Sequence, residues 1–62
     1  MLSPNDSKQA KVQARRDQIV EAAKTSFRRH GFHAASMAEI AQGSQLSVGQ
    51  IYRYFANKDA II

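Results

Sequence analysis

Apolar residues recur along this chain at helical spacing and nowhere with the strict alternation of a half-buried strand. On a 3.6-residue wheel Ile19, Ala23, Ser26, Phe27 and His30 share one side while Asp17, Glu21, Lys24 and Arg28 lie opposite, which predicts an amphipathic helix over about residues 12–30. Its end is marked more sharply than its start. Gly31 offers a left-handed residue past the last turn, and Arg28, Arg29 and His30 complement the negative end of the helix dipole. Phe32 is spaced to touch Phe27, as in a Schellman stop. Residues 1–11 are polar, carry the only proline and sustain no period, so they read as a mobile basic arm.

Two capping boxes punctuate the second half. In "SMAE" Ser36 can accept from the amide of Glu39 while Glu39 reaches back, and Met37, Ile40 and Ala41 continue as a short apolar stripe to about Gln42 or Ser44. In "LSVGQI" Ser47 caps, Gln50 takes the reach-back position and Leu46 is spaced to staple Ile51. The result is a short helix, a tight turn at "GSQL" and a second short helix over about Val48 to Phe55. Asn57 then caps a fourth helix beginning "KDAII", with Asp59 in the first turn, where a negative charge is favoured. The expected fold is all-α: a three-helix, homeodomain-like helix-turn-helix domain over residues 12–56 and the start of a linker helix over 57–62.

In a helix-turn-helix the second helix of the pair lies in the DNA major groove. Here Ile51 and Phe55 share its inner face, Val48 and Tyr52 lie at one edge, Tyr54 lies at the other, and Gly49, Gln50 and Arg53 point outward. Gln50 suits adenine and Arg53 suits guanine or a phosphate, while Gly49 and Val48 permit close approach or a thymine-methyl contact. Tyr52 and Tyr54 carry hydroxyls able to donate to phosphates. Gln50 also has a competing role as partner of Ser47 in the box, and Arg53 has the simpler role of a solvated charge.

Composition narrows the partners. Nine Lys plus Arg against five Asp plus Glu give a net charge of +4 over 62 residues, which favours a polyanion. The absence of cysteine removes disulfides and thiolate zinc sites together. His30 and His33 lack a third ligand at sensible spacing and read as a solvated pair, with no metal. No nucleophile, base and orienting group occur at interpretable spacing and no Gly-rich phosphate loop is present, so neither an enzyme nor a cofactor is implied. The rival is a basic amphipathic module for an anionic membrane or a protein partner. The apolar face of residues 12–30 is narrow and built around alanines, which suits a three-helix core better than lipid.

The pattern from Arg15 to Ile62 resembles the amino-terminal DNA-binding domain of the TetR family of bacterial transcriptional regulators. The matching residues are Ile19, Ala22, Ala23 and Phe27, then Gly31-Phe32, Ile40-Ala41, Ser47, Gly49, Ile51-Tyr52, Tyr54-Phe55 and Lys58. The resemblance implies that Val48, Gly49 and Gln50 meet bases, that Ser36 at the start of helix 2 lies near a phosphate, and that Tyr52, Tyr54 and Lys58 grip the backbone. Ser47 joins this phosphate-binding set, and Arg53 the base-reading one. It further implies a cytoplasmic, nucleoid-associated repressor that binds a palindromic operator as a homodimer. Dimerisation and release by a small-molecule effector would rest on a carboxy-terminal domain missing from these 62 residues. The chain departs from the family at Ser44-Gln45, where an Ala-Gly pair is usual, so either Gln45 is left-handed or the turn begins at Gly43. The spacing from Ile40 to Ile51 favours Gln45. It departs again at Ala38, where a basic residue is common, which leaves helix 2 less base reading.

Overall fold

Ile19, Ile40 and Ile51, one from each of the first three expected helices, are wholly buried in the computed structural model. The structure describes residues 4–62, with side chains from residue 8 onward. Its elements are α1 (Pro4–His30), α2 (Met37–Ser44), α3 (Val48–Tyr54) and α4 (Lys58–Ile61), and no strand occurs among the described residues. Around the three isoleucines pack Ala23, Met37, Ala41, Phe55 and Ile61, with Val20, Ala22, Phe27, Leu46 and Tyr54 covering the margins. Full burial of one such large side chain stabilises by about 1.5–3 kcal/mol, so a core of this size holds the fold with little surplus.

The helix α1 starts earlier than periodicity indicates. In place of an arm ending at residue 11, the backbone is helical from Pro4, while residues 1–3 of the expected arm lie outside the described residues. The stretch up to Lys11 has no apolar stripe, but Lys8, Gln9, Ala10 and Lys11 are good helix formers and proline is favoured at a first helical position. Extending a helix whose nucleus is already packed adds one backbone bond per ordered residue, without the cost of nucleation. The molecule is therefore elongated, 43 × 19 × 19 Å, along the 27 residues of α1.

Helix ends follow the capping residues, with two exchanges. At α1 the left-handed Gly31 (φ 82°) donates to the Phe27 carbonyl at 2.8 Å, the single bond of the simpler left-handed stop. The Phe27 and Phe32 rings still meet, with centroids 5.2 Å apart. The full Schellman pattern appears instead at α2: Leu46 N–H donates to Ala41 at 3.0 Å and Gln45 N–H to Gln42 at 3.2 Å. Gln45 is the left-handed residue there, at φ 63° and ψ 29°. At the start of α2, Ser36 Oγ accepts from Glu39 N–H at 3.0 Å, but the Glu39 carboxylate does not reach back. It pairs with His30 Nε2 at 2.9 Å, because packing α1 on α2 brings a cationic-capable ring within reach.

Candidate nucleic-acid interface

The orientation of α3 is set from both ends. At its start the box is complete: Ser47 Oγ accepts from Gln50 N–H at 3.2 Å and Gln50 Oε1 accepts from Ser47 N–H at 2.9 Å. At its end Phe55 leaves the helix in an extended conformation, its N–H still bonded to Ile51 at 2.9 Å and its ring buried. The Arg16 guanidinium of α1 lies 4.8 Å from the centre of that ring. The preceding turn is tied to α1 as well, since the Gln18 amide donates to the Ser44 carbonyl, one of the carbonyls a helix end leaves without a partner. Sequence reasoning did not find Gln18 or Arg16 in these roles. Their partners stand 26 and 39 positions away in the chain, and nothing local signals the contact.

With Ile51 and Phe55 buried, the remaining surface of α3 is open. All four expected base-reading residues, Val48, Gly49, Gln50 and Arg53, are exposed. Gly49 and Arg53 lie opposite Ile51 on the wheel. A methyl group at Gly49 would meet only Ser47 Oγ, at 3.9 Å, so the fold does not require glycine there. Gln50 is the constrained member. Its Oε1 is engaged by Ser47, so the amide N–H2 is free to donate, whereas a bidentate contact with adenine would need the box to open.

The expected phosphate contacts divide. Ser36 and Ser47 are exposed caps whose hydroxyl oxygens accept backbone amides and whose O–H protons can point outward. Tyr52 is 51% exposed, whereas Tyr54 is half-buried against the core. Lys58 is the most engaged: its Nζ donates to the Phe32 carbonyl at 2.6 Å and the His33 carbonyl at 3.2 Å, and lies 4.6 Å from the centre of the Phe32 ring. An ammonium has three donors, so one remains for a phosphate while the other two fasten α4 to the α1–α2 loop. Among the described residues no three His, Cys, Asp or Glu side chains gather into a metal site, and no helix is long and apolar enough to cross a membrane.

The family model described as "Bacterial regulatory proteins, tetR family" matches residues 19–62. Similar curated proteins include the HTH-type transcriptional regulator UidR of Escherichia coli (strain K12), 39% identical over 57 residues, which are 92% of this chain and 29% of that protein. The HTH-type transcriptional regulator HbdR of Aromatoleum sp. (strain CIB) is 39% identical over 51 residues, 82% of this chain and 22% of its own length. An uncharacterized HTH-type transcriptional regulator, YfiR of Bacillus subtilis (strain 168), is 38% identical over 58 residues, 94% and 28% respectively. The chain thus spans less than a third of the length of these relatives. No solved structure gives a significant match.

Proposed function

Because this chain belongs to the TetR family of bacterial regulatory proteins, whose members bind DNA and are not enzymes, we propose that α3 enters the major groove of a specific operator. In this reading Val48, Gly49, Gln50 and Arg53 face the bases, and Ser36, Ser47, Tyr52, Tyr54 and Lys58 hold the flanking phosphates. The observation that carries it is Gly49: a helix-weakening residue, unneeded by the fold, at the middle of the one exposed face of a helix anchored by Ile51 and Phe55. A groove-binding helix gains from a missing side chain there, because the backbone can approach the base edges.

The whole protein is then a cytoplasmic repressor that dimerises on a palindromic operator and leaves it when a small molecule binds a further domain. The relatives' greater length supports this extension. The rival membrane reading is disfavoured because Ile19 and Ala23, the apolar stripe of α1, are already buried in the core. Titration of the chain against random and selected duplexes at several salt concentrations tests the proposal. Salt-dependent binding with a sequence preference is expected, and Gln50→Ala should reorder the preferred sites. Absence of salt-dependent binding to any duplex would sink it.

A further inference from the structure

Among the described side chains of α1, Arg16 and Gln18 are the first to hold partners on other elements, and residues 8–15, all exposed, precede them along the long axis. All of residues 8–17 are exposed. Within them stand four cations, Lys8, Lys11, Arg15 and Arg16, and one anion, Asp17, which accepts from Gln13 Nε2 at 2.9 Å. Arg16 is held over Phe55. Lys8, Lys11 and Arg15 are spaced i, i+3 and i+7 and fall on the same side of the wheel as Ile19 and Ala23. Where the core stripe would continue, cations replace it. Among the described residues the ion pairs are Lys24–Glu21 and His30–Glu39, neither of them in this segment.

From these observations we infer that residues 8–15 of α1 are a second phosphate-binding surface, which grips the backbone of duplex DNA beside the segment read by α3. The inference rests on the DNA-binding reading above and goes beyond it, since the family match begins only at Ile19. Three features support it. The stripe continues the side of α1 that carries the α2–α3 turn, through Gln18, and the end of α3, through Arg16 and Phe55, so it adjoins α3 at both ends. From Lys8 to Arg15 it runs about 10 Å, a length of duplex axis over which each DNA strand carries about three phosphates, one per roughly 3.4 Å of axis. It is also already helical, so binding orders side chains but little backbone. A lipid surface fits less well: Val12, 41% exposed, is the one large apolar side chain among residues 8–17, and an interfacial helix needs an apolar face to bury.

The test compares the 62-residue chain with its Lys8→Gln/Lys11→Gln/Arg15→Gln variant, in duplex binding over a salt series and in binding to phosphatidylserine-containing vesicles. Glutamine retains helix propensity, and circular dichroism checks the fold. The expected result is a fall in the slope of log affinity against log salt by about 2–3, at about 0.9 per lost phosphate contact, with the ranking of duplexes unchanged. A charge-retaining Lys8→Arg/Lys11→Arg/Arg15→Lys variant should keep the original slope. If the unaltered chain binds duplexes and the glutamine variant keeps its slope, this inference fails and the α3 reading stands. Loss of vesicle binding alone would assign the stripe to a membrane and overturn it. If the unaltered chain binds no duplex, both readings fail together.

Discussion

Gly49 and Lys58 are the residues at which stability and binding pull apart. A methyl group at Gly49 meets only an ordinary contact, so Gly49→Ala should raise the stability of the free domain by about 0.5–1 kcal/mol while weakening duplex binding. A melt and a titration on one sample check both, and a variant that gains stability and binds equally well would remove close approach from the account. Lys58 divides its donors between two loop carbonyls and the solvent side. Lys58→Met should therefore lower the melting temperature and also reduce the salt slope of duplex binding by about 1, roughly equally for all sequences. A loss of stability with the slope unchanged would make Lys58 an internal tether alone. Gln50 carries the sharpest conflict, since the oxygen that closes the cap on α3 is the one adenine would need.

At the scale of elements, the link between α2 and α3 holds a full Schellman stop around a left-handed glutamine and then, two residues later, a complete capping box. The two devices fix the angle between the helices with only Gln45, Leu46 and Ser47 between them. A side chain at positive φ costs about 1–2 kcal/mol relative to glycine, so Gln45→Gly should stabilise. The greater freedom of glycine in the unfolded chain offsets part of this, leaving a gain of about 0.5–1 kcal/mol and a rise of a few degrees in Tm. Thermal unfolding followed by circular dichroism measures it, and an unchanged or lower Tm would mean that Gln45 makes a compensating contact. The exchange of stop types between α1 and α2 has a simple origin. Local sequence shows where a helix must end, but which carbonyls the following amides reach depends on how the next segment is drawn into the core.

In the whole molecule, one stripe from α1, one from α2 and the inner face of α3 close a core centred on three isoleucines, which Ile61 of α4 joins. Ile40→Ala should cost about 2–5 kcal/mol, against a total of about 3–5 kcal/mol for a domain of this size. Loss of the cooperative melt is the expected outcome; a melt lowered by only a few degrees would show that the site collapses around the smaller residue. The sequence by itself determined the helices from Gly31 onward, their N-cap residues Ser36, Ser47 and Asn57, and the face of α3 left open, because capping and amphipathic spacing act within a few residues of one another. The family resemblance was legible for the same reason: most of its residues, from Ile19 and Gly31 to Ser47, Ile51 and Phe55, are those that cap, turn and pack. The backbone of residues 4–11 was not, since a helical extension outside the core has no apolar period to betray it. Tertiary structure alone decided that Glu39 turns to His30, that Lys58 closes the α1–α2 loop, and that Gln18 and Arg16 secure the α2–α3 turn and the end of α3. Each of these joins a polar or charged group to a partner on another segment of the chain, and such partners are chosen only once the apolar stripes have brought the helices together.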